Sequence, residues 1–436
     1  MKKLLLFAVA AACAAAAGAV TPANAALVTD PTGTLSLQPG AGYTIMATSC
    51  VTQERSTESN AVFPMPDDPD SKVLVKGPAG QDWLLVGHEL TEPRPLDFGG
   101  DLGKCHVPEQ TPADDDSDGW GSVSRLTLAK DGTTVTRAEI ITTGLHDLCA
   151  GAITPWKTFL VNEEFPFLTD PEQRSGWVWE IDPATGAQKR LTGMGRFSHE
   201  QEAYASPGHW YLTDDRGDAR FLYRFDPASN KDLTRGDLYG LAFNKLTMTG
   251  FWVGPLNPAN PDADMRLRGF NPALSGFNKA EGMVATGSSN TLGGNEVWFS
   301  ESGVGSDPGR IWKLSDLGND GFVSGRVVAE GDWARLGRPD NIRFTDAGDL
   351  FIMEDHSGTD FGRGQTGNVN QIWVLPRHEE GSENLVLFGQ TVDEPTGPWF
   401  SFDNKLLYLS IQAEPPRQSR VVAISRGTTF NRPYEP

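Results

Sequence analysis

Acidic side chains recur at one point of a repeated pattern. Six apolar, β-rich runs, at 83–88, 159–162, 210–213, 297–300, 350–353 and 407–411, end in polar or acidic residues. The acids so placed are Glu89, Glu163, Glu164, Asp214, Asp215, Glu301, Glu354 and Asp355. A second set stands just before such runs: Glu200 in Ser198-His199-Glu200, Glu281 in Lys279-Ala280-Glu281-Gly282, Asp340 in Arg338-Pro339-Asp340-Asn341 and Glu394 in Glu394-Pro395-Thr396-Gly397-Pro398. Carboxylates gathered out of water repel one another and lose hydration, so they stay ionised only where cations lie between them. Hard oxygen donors suit calcium, magnesium or a ferric ion. Cys149, in His146-Asp147-Leu148-Cys149-Ala150-Gly151, precedes the run that ends in Glu163 and Glu164. A thiolate near cations is a soft ligand with a depressed pKa, which a transition metal selects and calcium does not. One cysteine among many carboxylates points to a mixed centre of iron and calcium ions; the alternative is a buried, inert thiol.

Other familiar sites are missing from the sequence. There is no G-x-S-x-G elbow, no H-E-x-x-H and no Walker-type phosphate loop. Asp114, Asp116, Asp118 and Gly119 resemble the start of an EF-hand loop, but the twelfth position is Arg125 instead of Glu, which reads as a solvated acidic loop.

The elements that must position these acids are strands. After most of the six runs comes a Gly/Asp turn and a second alternating segment, such as 176–181, 221–225, 310–314, 371–374 and 420–424, then further turn signals and a third. With 48 Gly and 30 Pro the chain is rich in turns and poor in helix signals. Strand-turn-strand repeated six times predicts an all-β, six-bladed β-propeller with loop insertions and an N-terminal extension, in one domain over 26–436. Taken as the innermost strands, the six runs would bring their acidic ends to one mouth of the central channel. The Pro/Asn/Gly-rich stretches 26–80 and 227–275 read as long surface excursions.

Lys and Arg total 37 against 57 Asp and Glu, a net charge of −20, which excludes general nucleic-acid binding and suits cations. Met1-Lys2-Lys3, an apolar stretch over 4–17 and Ala23-Asn24-Ala25 read as a Sec-type signal peptide over 1–25, cut after Ala25. The expectation is a periplasmic or secreted protein, a monomer with no membrane association after cleavage. In that compartment Cys50 and Cys105, both in loop-like sequence, are the expected disulfide.

The sequence resembles the PhoX family of secreted bacterial alkaline phosphatases. The likeness runs over about 80–425 and is carried by the Cys-Ala-Gly, Thr-Pro-Trp and Glu-Glu pattern of 146–164, by Gly195 to Glu200, and by Tyr211 to Arg216. It continues through Lys279 to Gly282, Arg338 to Asn341, and Glu394 to Phe400. The resemblance implies a six-bladed propeller whose channel holds ferric iron and calcium, a bridging cysteine at Cys149, and acidic ligands at Glu89, Glu164, Glu200, Glu281, Asp340, Glu354 and Glu394.

The expected function is a metal-dependent phosphatase acting on small phosphate esters. Cys149 would bridge the metals, and Lys279, Arg338 and Arg216 would neutralise the non-bridging phosphoryl oxygens. Two alternatives share the frame: a calcium-dependent lactonase or esterase, and a non-catalytic metal-binding propeller.

Overall fold

A computed structural model describes residues 27–28, 35–90, 121–164, 175–205, 208–229, 231–286, 296–316, 321–356, 369–413 and 417–431. The expected signal peptide, the acidic loop at Asp114 to Gly119 and Cys105 lie outside these residues. Cys50 is disulfide-bonded and Cys149 is a free, buried thiol.

The architecture is all-β and propeller-like, in five sheets with few helices among the described residues; the pairing is antiparallel apart from Gln53–Ser56 with Val135–Leu145. Six strands line the centre: Pro69–Lys76, Leu148–Ile153, His199–Ala205, Ala280–Ala285, Pro339–Phe344 and Glu394–Phe400. They pack in succession, and the last returns to the first, closing a ring. Each begins an antiparallel run that steps outward, as in the sheet that continues from Leu148–Ile153 to Phe159–Glu163, Val178–Ile181 and Gln188–Arg190.

Apolar side chains pack between neighbouring antiparallel runs, two of which belong to one sheet. One cluster joins Phe243 and Phe299, the next Trp298 and Trp373, the next Phe351 and Phe400, the next Trp399 and Leu85, and the last Leu160 and Trp210. The core is thus a ring of layers between these runs, and strands such as Phe159–Glu163 are buried along their whole length. This explains their near-continuous apolar sequence.

The N-terminal segment closes the ring. Gly42–Thr48 pairs with Arg420–Ser425 at the end of the chain, and Ser36–Leu37 pairs with Val386–Thr391. The stretch 26–80 is therefore no surface excursion: it supplies the closing strand and the first central strand. Its Pro, Asp and Gly content hid them. The stretch 227–275 also differs from expectation. Asp232–Asn244 is a long outer strand, and Thr249–Val253 bridges it to Phe322–Glu330, merging two units into a nine-stranded sheet.

The six apolar runs are second strands, one step out from the centre. Each pairs antiparallel with the central strand before it, in registers such as His199↔Asp214, Ala280↔Glu301 and Pro339↔Glu354. A hairpin places the end of its second strand beside the start of its first. The acids ending the runs and the acids preceding them therefore reach the same mouth.

Closure by Gly42–Thr48 is testable at Ala47, which is 2% exposed and packs with Trp399 and Val421. Ala47→Glu should lower stability by about 3 kcal/mol or more, because it buries an unpaired charge. Urea unfolding measures this; an unchanged midpoint would contradict closure by this strand.

Candidate metal centre

Each central strand delivers one potential ligand to the axis. The second residue is Asp70, Cys149, Glu200, Glu281 or Asp340 in five of them, and the first is Glu394 in the sixth. On all six, the ladder slips just beyond this start, with one extra residue on the central strand. Such bulges locally bend a strand and re-aim its side chains. The residue preceding the strand has positive φ in four cases: Asp68 at 45°, Asp147 at 44°, Lys279 at 54° and Arg338 at 46°. Backbone held there by Asp, Lys or Arg is sparsely populated and persists only when its surroundings fix it. Gly282 shows how close the strands come: a Cβ there would lie 2.6 Å from the Asp340 carbonyl oxygen.

These ligands and the residues just after the second strands, Glu89, Glu164, Asp215 and Asp355, line a cavity of about 390 Å³. Asp68, Asp147, Lys279 and Gln412 complete it, so eleven carboxylates share the pocket with one lysine. Three groups bring ligand atoms within 4.8 Å of one another: Asp70 with Glu89 and Cys149, Glu89 with Asp147 and Glu164, and Glu200 with Glu281 and Asp340. Glu89 belongs to the first two. Cys149 Sγ lies 3.1 Å from Glu164 Oε2.

The electrostatics are those of crowded anions. Burial, and then Asp147 and Asp70, push Glu89 well above the ordinary carboxylate range. Burial raises Glu164, Glu200 and Asp340 likewise, reinforced first by Asp215, Asp340 and Asp70 respectively. Burial also raises Glu394, followed by Asp355 and Asp340. Glu281 is raised by burial and Asp215 despite Lys279, whose Nζ lies 2.9 Å from Glu281 Oε1 and 3.5 Å from Asp215 Oδ2. Asp70 is raised to about 6 by burial, with Thr396 and Lys72 opposing. The Cys149 thiol is pushed up by burial and by Glu164, Glu89 and Glu200. The depressed pKa expected of Cys149 is therefore not a property of the protein alone and requires bound cations.

The donor set fits metal ions. One group offers a sulfur with two carboxylates, as a transition metal takes, and the others offer oxygen alone, as calcium takes. Among the described lining residues Lys279 is the one counter-charge to these carboxylates.

Several sequence-expected residues fall elsewhere. Glu163 accepts from the amides of His146 and Trp177, each at 3.1 Å. Glu354 accepts from the amides of Gly337 and Gln371 and from the Trp373 indole. Glu301 does the same with Asn278 N and Trp312 Nε1, and also pairs with Lys245 and Arg310. These strand-end glutamates tie the loop that enters the central strand, and two of them also tie a tryptophan on the third strand. They hold the frame and point away from the pocket. Asp214 is buried near Arg220 and also lies outside the pocket lining. The Arg338 guanidinium donates to the carbonyls of Ser302, Gly305 and Asp307 and does not line the pocket. Nor does Arg216, whose carbonyl accepts from the Lys279 amide.

Sequence reasoning missed Asp68, Asp70, Asp147 and Gln412. A signal for Asp70 was present: Asp68-Pro69-Asp70 repeats the charged-residue, Pro, Asp order of Arg338-Pro339-Asp340.

The family described as "Alkaline phosphatase PhoX" matches residues 131–415. Among solved structures, Pseudomonas fluorescens PhoX in complex with vanadate, described as a transition-state analogue, is similar at 17% identity. That similarity has a TM-score of 0.65 and covers 93% of this chain and 97% of that one. It shows a common fold. A virginiamycin B lyase from Staphylococcus aureus is similar at 13% identity and TM-score 0.39, covering 88% of this chain and 98% of that one. A gluconolactonase from Xanthomonas campestris is similar at 12% identity and TM-score 0.37, covering 83% and 96%. No curated protein matches the chain.

Two outcomes follow. In the metal-free chain the raised carboxyls keep protons that the unfolded chain releases above about pH 4. The folded state then binds more protons, so its stability falls as pH rises beyond that point. The melting temperature of chelator-treated protein should therefore drop as pH rises from 5 to 8, because these carboxyls are raised; a flat profile would contradict the crowding. Glu354→Ala should cost about 3 kcal/mol by orphaning buried donors, whereas Glu281→Ala should leave the metal-free chain as stable or stabilise it. Denaturant unfolding of both variants distinguishes a frame residue from a pocket residue.

Proposed function

The chain belongs to the alkaline phosphatase PhoX family, and from that premise we propose that its axial pocket is the phosphatase centre, releasing phosphate from small phosphomonoesters. Phosphatase activity follows from the family. The reading adds that the five sheets count as six blades, each contributing one of Asp70, Cys149, Glu200, Glu281, Asp340 and Glu394, and that iron and calcium are the ions held. The observation that carries it is the meeting in one cavity of a free thiol from one central strand with carboxylates from the other five.

Cys149, Asp70 and Glu89 would hold iron, the group with a soft donor. Glu89, Asp147 and Glu164, and across the channel Glu200, Glu281 and Asp340, would hold calcium. Such ions, when bound, polarise phosphoryl oxygens and supply an oxygen nucleophile near neutral pH.

The protein's own part is charge, position and exclusion of water. The metal-free pocket offers a phosphate monoester no positive charge beyond Lys279 among its described lining, so anion entry follows cation loading. Lys279 stands at the rim, a third exposed, with its ammonium already aimed inward at Glu281 and Asp215. Once cations satisfy those carboxylates, the ammonium is free to neutralise a non-bridging oxygen. Asp355, Glu394 and Gln412 form the remaining wall, and Gln412 Nε2 donates to Glu89 Oε2 at 3.0 Å, holding it in place. In the net reaction the bond from phosphorus to the leaving oxygen breaks, one from phosphorus to a water-derived oxygen forms, and the leaving alkoxide takes up a proton.

The reading includes export after cleavage behind Ala25, delivery to the periplasm or beyond, and action as a monomer of one domain over 26–436. No helix among the described residues is long and apolar enough to cross a membrane.

Cys149→Ala should lower phosphate release from an aryl phosphate by about a hundredfold and reduce bound transition metal; undiminished turnover would remove the centre. Lys279→Met should lower kcat/KM of the metal-loaded enzyme by about a hundredfold. An unaffected kcat/KM would leave Lys279 as a partner of the acids alone.

A further inference from the structure

The carboxylate pocket rests on a lysine. Lys72 stands two residues along the central strand from Asp70 and is 3% exposed. Its Nζ donates to the Asp70 carbonyl oxygen at 2.7 Å and to Ser410 Oγ at 2.5 Å. Ser410 lies on Leu407–Gln412, the second strand of the last unit. The ammonium therefore bridges the first and last units where the ring closes.

The space for it is made by glycine. Gly397 has φ +57°, and a Cβ there would come within 2.6 Å of Lys72 Nζ and collide with the Asp70 carbonyl oxygen. The adjoining Thr396 Oγ1 hydrogen-bonds Asp70 Oδ1 and lies 2.8 Å from Asn341 Oδ1. Asn341 Nδ2 donates to Asp340 Oδ1 at 2.8 Å and to Glu200 Oε1 at 3.4 Å. Asp70 is thus held through its main chain by Lys72 and through its side chain by Thr396, in a network that crosses to the opposite cation group.

Two lysines border the carboxylates. Lys279 is partly exposed at the rim and can swing away, whereas Lys72 is enclosed. With its nitrogen donating to a main-chain carbonyl on one strand and a hydroxyl on another, Lys72 ties the two strands together beside Asp70.

We propose that Lys72 is a positioning residue for Asp70. Its two hydrogen bonds span the seam between the first and last units and fix Asp70 beside Glu89 and Cys149. The proposal rests on the metal-centre reading above, and it concerns the Asp70 ligand of that site.

Lys72→Ala removes a segment with the shape of propylammonium, while Lys72→Met fills the same space without a donor. In the full-length, chelator-treated chain, propylammonium should raise the melting temperature of Lys72→Ala and leave the wild type and Lys72→Met unmoved. With metals restored, Lys72→Ala should turn over an aryl phosphate about tenfold more slowly or worse, as a small misplacement of a ligand implies. Propylammonium should recover part of that loss, and tetramethylammonium, which has no N–H, should not. Elemental analysis should find fewer tightly held ions in Lys72→Met than in the wild type. The proposal is overturned if propylammonium has no effect on folded Lys72→Ala, or if Lys72→Met keeps wild-type turnover and ion content. Should Lys72→Ala fail to fold, the ion content of Lys72→Met decides. A wild type that released no phosphate would sink the phosphatase reading alone, because the melting and ion measurements involve no substrate.

Discussion

Repulsion between desolvated carboxylates governs this molecule. Eleven of them line a cavity of about 390 Å³ with a single lysine among the lining residues. In the metal-free chain burial and neighbouring charge hold these groups toward their protonated forms, and Cys149 toward its thiol. Only a rigid frame can keep them together against that tendency. The ring supplies it, because each ligand sits on a central strand or beside a strand end, and apolar layers pack these strands together.

The frame spends local backbone regularity at the mouth. Every central strand carries a bulge just beyond its ligand, and four of them are entered through a residue with positive φ. Glu163, Glu301 and Glu354 anchor the entering loops by accepting their amides. One type of residue therefore serves two ends a single step apart in sequence. Glu163 ties the frame, and Glu164, its neighbour, faces the cavity. The alternation of a strand puts successive side chains on opposite faces, which is enough to separate the roles.

Much of this was legible in the sequence. The repeated runs ending in acids gave strands converging on one mouth, and Cys149 with Glu164, Glu200, Glu281, Asp340 and Glu394 meets in the cavity as the spacing implied. The rest was hidden for physical reasons. A second strand buried on both faces reads as more strongly apolar than the central strand, whose residues are small, polar or bulged, so the runs at 83–88 and their counterparts looked innermost. Pro69–Lys76 carries a proline, an aspartate and two lysines, and nothing local distinguishes it from a loop. Asp70 and Lys72 went unnoticed with it. Whether Glu163 or Glu164 faces the pocket depends on a register that periodicity alone does not fix. Arg338 is drawn away from the cavity by three carbonyls on a loop that the linear sequence does not bring near.

The central claim is that protons and cations compete for the same buried oxygens. Counting the protons released when the metal-free chain is loaded with calcium and iron at pH 7, in weakly buffered solution, tests it most directly. Several protons per chain should be released, with fewer from a variant in which Glu200 and Glu281 are both glutamine. Loading that released none, or release unaffected by that double substitution, would contradict it.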